Sequence, residues 1–237
     1  MYDISFAKKI HRRINVFPWI PSRDLYRFGK IWTILKAKPY TMNDYPRLAD
    51  VYDLISEVEG KNNLEGAIVE CGSWNGGCSR VMNEVSEKYG KKRNVWIFDS
   101  FEGLPDSLPI DKKPTGKQAY KGSNKADKEI CETALKNVGK DRLHIVQGWF
   151  KDTLPLSVEK VGPIAFLHLD ADLYESTTQC LENLYDLVVP GGLIFIDDYG
   201  YYQGCKKAVD EFLTSRNHAG LLTHYGQDSM YLRKPNT

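Results

Sequence analysis

From Gly66 onward the chain alternates short apolar runs with longer amphipathic ones, and this feature limits its fold more than any other. The apolar runs fall at 67–71, 95–99, 143–147, 164–170 and 193–197. Each is the length of a strand, and four are nearly continuous, as strands covered on both faces must be. The amphipathic stretches at 79–89, 125–138, 174–187 and 206–215 fit helices between them. That order predicts an α/β fold, a parallel sheet joined by crossover helices. Runs at 220–224 and 229–233, separated by a turn with a glycine, read as two further strands able to pair antiparallel at the sheet edge.

A chain of 237 residues can bury one substantial core. The expected division is an N-terminal helical cap or lid over 1–60 and a catalytic domain over 61–237. The first part differs in character: Lys8 to Lys38 carries nine basic side chains interleaved with Phe17, Trp19, Phe28, Ile31, Trp32 and Leu35, and Pro18 and Pro21 must interrupt any helix there. A solvated basic face over an aromatic core contact explains it; peripheral membrane contact or a partner is the alternative. Residues 101–123, with three prolines and many lysines, read as a mobile loop or lid.

Lysine plus arginine total 32 against 31 acids, so no global field points to nucleic acid. Five cysteines without a C-x-x-C pair argue against a disulfide framework and for a reducing, cytoplasmic compartment. No apolar run approaches the roughly 20 residues of a membrane span, and the N-terminus lacks a signal-peptide stretch.

Two constellations carry chemistry. The segment Val69-Glu70-Cys71-Gly72-Ser73-Trp74-Asn75-Gly76-Gly77 ends the first strand and opens the first helix of the alternating region. Glycines there allow a ligand to approach the backbone, and the helix start offers free N–H donors. It lacks the G-x-G-x-x-G of dinucleotide sites, and a plain tight turn is the alternative. Asp99 ends the second strand, where a carboxylate can accept both hydroxyls of a ribose. Gln147-Gly148-Trp149, at the third strand end, sits where adenine lies in such folds; Trp149 could equally be a core aromatic.

The second constellation is His168-Leu169-Asp170-Ala171-Asp172 at the fourth strand end and Ile196-Asp197-Asp198-Tyr199 at the fifth. In an open parallel sheet the ligand crevice lies outside the carboxyl ends, so these four acids should converge. A divalent cation would offset their repulsion, and all-oxygen ligands favour Mg²⁺, Mn²⁺ or Ca²⁺ over zinc. Helix capping is the competing reading: Asp172 stands three residues before Glu175, and Asp198 can cap a turn. His168, two residues before Asp170, either supports a metal-binding carboxylate or is a buried core histidine.

These motifs, together with Phe98-Asp99-Ser100-Phe101-Glu102-Gly103-Leu104-Pro105, the continuation Leu173-Tyr174-Glu175-Ser176-Thr177, Pro190-Gly191-Gly192 and the tail Gly204 to Phe212, resemble the macrocin-type O-methyltransferases, which methylate deoxysugars on macrolides and aminocoumarins. Thr41-Met42 and Arg47-Leu48 resemble that family's N-terminal lid. The loop departs from the family at Asn75 and Cys78, where relatives often carry a basic and a small hydroxyl residue.

The resemblance implies a Rossmann-like class I methyltransferase with a mostly parallel seven-stranded sheet and an N-terminal helical cap. It implies S-adenosylmethionine as methyl donor, Mg²⁺ held by Asp170, Asp197 and Asp198, and Asp172 as general base. The expected donor-binding residues are Glu70, Gly72, Ser73, Trp74, Gly76, Gly77, Asp99, Ser100, Gly148, Trp149, Thr41 and Met42. The acceptor would be a glycosylated small molecule or a saccharide precursor, and relatives suggest a homo-oligomer. Two other classes stay open: a glycosyltransferase using Asp170-Ala171-Asp172 as a D-x-D, and a non-catalytic scaffold in glycan assembly.

Overall fold

The structure, a computed structural model, describes residues 20–60 and 64–236. Phe17, Pro18 and Trp19 of the basic aromatic segment lie outside the described residues. Among those described, the strands are β1 (Ala67–Cys71), β2 (Val95–Asp99), β3 (Leu143–Gln147), β4 (Ile164–Leu169), β5 (Val188–Ile196), β6 (Thr223–Tyr225) and β7 (Ser229–Arg233). The helices are α1 (Phe28–Ala37), α2 (Tyr45–Glu59), α3 (Gly77–Lys88), α4 (Lys128–Ala134), α5 (Phe150–Thr153), α6 (Val158–Val161), α7 (Tyr174–Leu184) and α8 (Gln203–Ser215).

The seven strands form one sheet in the order β3-β2-β1-β4-β5-β7-β6. The first five run parallel, and β7 pairs antiparallel with both β5 and β6. Every residue of β1 and β4 is buried, as two-sided cover demands. Alternation assigns the faces. Val69, Cys71, Leu167, Leu169, Ile194 and Ile196 pack with α7 and α8, whereas Ile68, Phe166, Leu193 and Phe195 pack with α1, α2 and α3.

Strand order reverses between β1 and β4, and the carboxyl ends of those two strands open the crevice where α/β sheets bind ligands. Several elements differ from expectation. β5 starts at Val188, because Val188 pairs with Ile164 and a register shift carries the ladder past Pro190-Gly191-Gly192. The helix expected over 125–138 is shorter, capped by Asp127, whose Oδ1 accepts the amides of Glu129 and Ile130.

The stretch expected to be a mobile loop is held in several places. Leu104 N–H donates to the Ser123 carbonyl (2.8 Å), Gln203 N–H to that of Lys112 (2.9 Å), and Asp111 is buried. No helix among the described residues is long and apolar enough to cross a membrane, and all five cysteines are buried and unpaired.

Candidate active site

The loop after β1 is shaped by close approach. Gly72 sits at φ +84°, and a Cβ there would collide with the Asp170 carbonyl at the end of β4. Gly76, at φ +82°, precedes α3, and Gly77 lies against the backbone of Tyr40 and the side chain of Thr41. Asp99 ties the loop down: its Oδ2 accepts from the amides of Ser73 and Trp74 (2.8 Å each), and its Oδ1 from Phe101 (2.7 Å). Burial raises its proton affinity, and the three amides oppose that rise. A carboxylate has about four lone-pair sites, so three amides leave room for a ribose hydroxyl.

Around this loop is a cavity of about 320 Å³ lined by Met42, Gly72, Trp74, Asp99, Ser100, Gly148, Trp149, Asp170 and Asp172, among others. A second cavity, of about 350 Å³, is lined by Lys113, Gln118, Tyr120, Asp197, Asp198, Tyr201 and Tyr202. Met42, Asn124, Asp170 and Asp172 line both, so the two spaces meet at the acids.

Of the expected donor-binding residues, Ser73, Gly76, Gly77 and Thr41 are not among the residues lining the first cavity. Glu70 does not line the first cavity either. Its side chain shares the face of Ile68, so it points under α3 and away from the cavity. Oε2 there accepts from the Ser79 amide (3.1 Å) and hydroxyl, and Oε1 from His168 Nδ1 (2.9 Å).

The acids converge as expected, with a difference in grouping. Carboxylate oxygens of Asp170, Asp172 and Asp198 lie within 4.8 Å of one another. Asp197 stands outside that trio, its Oδ1 3.3 Å from Arg47 Nε and 3.7 Å from His168 Nε2. The capping alternative for Asp172 fails: Leu173 is the N-cap of α7, without a side-chain bond. The Tyr174 amide donates instead to Asp111 Oδ1 (2.8 Å). Asp172 is thereby left to the cavities, in left-handed conformation at φ 57°.

Electrostatics give this cluster its character. Burial, then Asp197, Asp198 and Asp172, holds the Asp170 carboxyl far above the usual carboxylate range. Burial, Asp198 and Asp197 do the same to Asp172, with Lys113 opposing. Asp198 is pushed up to about 7 by burial and Asp197, against Arg47. Burial alone would lower His168, yet the carboxylates of Asp197 and Glu70 that face its two nitrogens outweigh it and raise the imidazole to about 9. His168 is fully buried, stacked on Phe195 at 5.2 Å, and turned toward Asp197.

The donor set fits a hard divalent cation. Asp198 Oδ2 and Asp197 Oδ1 are buried oxygens without a hydrogen-bond partner, and carboxylate oxygens of Asp170, Asp172 and Asp198 are concentrated in one place. A second convergent group, Glu70, Cys78 and His168, is already engaged: Glu70 with Ser79 and His168, and Cys78 with Asn43 Nδ2 at 3.4 Å.

Sequence reasoning gave no role to Arg47, Asp111, Lys113, Tyr201 or Tyr202. Arg47 lay within the lid resemblance, but nothing in its neighbours says that its guanidinium reaches a strand end 150 residues away. The two departures from the family pattern have partners: Asn75 Oδ1 accepts from the Asp127 amide (2.9 Å), and Cys78 from Asn43.

The strand order, the reversal at the crevice and the antiparallel β7 define a class I S-adenosylmethionine methyltransferase fold. Residues 26–234 match the macrocin-O-methyltransferase (TylF) family, and the chain belongs to that family. It is an S-adenosylmethionine-dependent O-methyltransferase, which decides against the glycosyltransferase and scaffold readings.

Among relatives, demethyldecarbamoylnovobiocin O-methyltransferase of Streptomyces niveus is 32% identical over 220 residues, covering 87% of this chain and 79% of its own. The 8-demethyl-8-(2,3-dimethoxy-alpha-L-rhamnosyl)-tetracenomycin-C 4'-O-methyltransferase of Streptomyces olivaceus is 34% identical over 204 residues, 83% of this chain and 75% of its own. The solved structure of the O-methyltransferase NovP superposes with a TM-score of 0.74 at 31% identity, covering 83% of each chain.

Proposed function

We propose that the chain moves a methyl group from S-adenosylmethionine to a sugar hydroxyl of a glycosylated metabolite or saccharide precursor, with a divalent cation held by Asp170, Asp197 and Asp198. The observation that carries the reading is the junction of two cavities at Asp170 and Asp172. The first has the glycine loop, Asp99 and Trp149 to suit an adenosyl donor; the second has tyrosines and amides to suit a saccharide. A relative whose name specifies a rhamnosyl-bearing substrate supports the sugar class.

Residues 20–60 serve in this reading as the cap of a methyltransferase domain that begins near residue 61, with Met42 at the mouth of both spaces. A cation bound at the acids would supply Lewis acidity, lowering the pKa of an acceptor hydroxyl; Mg²⁺, Mn²⁺ or Ca²⁺ suits the oxygen set.

The chain's own residues do the rest. Asp172 takes the proton as the acceptor oxygen attacks the methyl carbon. The carbon–sulfur bond breaks, its electron pair stays on sulfur, and S-adenosylhomocysteine is released. Asp172 must be ionised to act, and a cation at the acids would favour that form against the protonated one that burial and Asp198 promote. Alignment of oxygen, methyl carbon and sulfur across the junction lowers the barrier further.

Asp172→Asn tests the assignment. Turnover should fall by about 10²- to 10⁴-fold, while calorimetric affinity for S-adenosylhomocysteine and for Mn²⁺ stays near wild type. Near-normal turnover would remove Asp172 from the base role, and lost Mn²⁺ uptake would make it a ligand instead.

A further inference from the structure

Under the floor of the site, side chains from four elements stand in line. Ser79, in the first turn of α3, gives its amide (3.1 Å) and hydroxyl to Glu70 Oε2 on β1. Glu70 Oε1 takes His168 Nδ1–H on β4 at 2.9 Å. His168 Nε2 faces Asp197 Oδ1, just beyond β5, at 3.7 Å, and Arg47 Nε of α2 lies 3.3 Å from the same oxygen. Glu70 and His168 are 1% and 0% exposed, so water cannot replace these contacts. One end of the line is the helix that the glycine loop opens; the other is a carboxylate of the acid cluster.

One link is open. At 3.7 Å the His168–Asp197 contact is too long for a hydrogen bond, and both atoms are buried without a hydrogen-bond partner. Asp197 Oδ1 already has an ion pair with Arg47 Nε, whereas His168 Nε2 has no hydrogen-bond partner, so the imidazole holds an unused buried nitrogen aimed at that carboxylate. A closure of less than about 1 Å would make the bond. Asp197 can therefore turn toward Arg47 or toward His168, and the second choice fixes its carboxylate from behind, as groups behind metal ligands do.

We infer that Ser79, Glu70 and His168 are positioning residues that couple the donor loop to the acid cluster, so that filling either site raises the affinity of the other. The inference rests on the reading that the acids hold a divalent cation. A donor seated on the loop fixes the start of α3, hence the Glu70 carboxylate, hence the imidazole behind Asp197. Linkage makes the effect reciprocal. Plain core packing by the same residues would affect stability and leave the two affinities independent.

The experiment measures Mn²⁺ binding to the full chain by titration calorimetry, with and without saturating S-adenosylhomocysteine, which lacks the sulfonium charge that would itself repel the cation. In the wild type the donor product should tighten Mn²⁺ binding about fivefold or more. Glu70→Gln keeps the shape but has one acceptor oxygen for three donors; Ser79→Ala removes a single hydroxyl and serves if the first variant does not fold. Both should still bind Mn²⁺, with the ratio reduced to within about twofold. A wild-type ratio near one, or the full ratio kept in the variants, overturns the coupling while the cation reading stands. No Mn²⁺ uptake by the wild type removes the cation reading and the coupling with it.

Discussion

Gly72 and Asp111 show how much of this site is decided by single residues. At Gly72 the backbone has positive φ and no space for a side chain, because the Asp170 carbonyl fills it. Gly72→Ala should therefore cost about 3 kcal/mol or more in stability, from strain and collision together. Urea unfolding measures it, and a variant as stable as the wild type would show that the loop can retreat. The glycine and the acids were legible in the sequence because spacing alone puts them at strand ends. Asp111 was not: it looked like one polar residue in a lysine-rich loop, yet it caps α7 and so frees Asp172. The direction of the Glu70 side chain was hidden for a related reason, since adjacency to the glycine loop says nothing about the face on which a strand residue emerges.

Among elements, α2 does the most to join the N-terminal residues to the sheet. Asp44 caps it by accepting the Arg47 amide at 3.0 Å, and the same helix brings Arg47 onto Asp197. One turn on, Asp50 lies against Gly226, in the turn between β6 and β7. Burial pushes the Asp50 carboxyl from 3.8 up to about 6, although Arg47, Arg23 and Lys30 oppose it. A raised carboxyl favours the folded state while protonated, so its contribution is complete below about pH 4 and lost as pH rises through about 6, about 1–2 kcal/mol in all once solvent screening is allowed for. Asp50→Asn should melt several degrees above the wild type at neutral pH, and the difference should vanish in acid; equal melting temperatures across the range would refute this. The segment 101–123 showed no periodicity, so its order could not be read locally; its anchors come from Gln203, Tyr174 and Ser123, all outside the stretch or at its end.

For the molecule as a whole, the donor should act as a stabiliser because its site is built from loops that only the folded sheet brings together. S-adenosylhomocysteine at about 100 times its Kd should add about 2.7 kcal/mol, or roughly 5–11 °C in Tm for a chain of this size. An unchanged Tm at that concentration would contradict the assignment of the first cavity. The sequence by itself determined the α/β class, five parallel strands in the right places, an antiparallel tail and the acids at two strand ends. It could do so because apolar periodicity and strand-end position are local properties of the chain. Only the tertiary structure decided which acids converge, that Asp197 lies between Arg47 and His168, that Glu70 turns beneath the sheet's cap-side face, and that two cavities meet at Asp172. Those are distances between side chains far apart in sequence, set by packing across the sheet, and no local pattern encodes them.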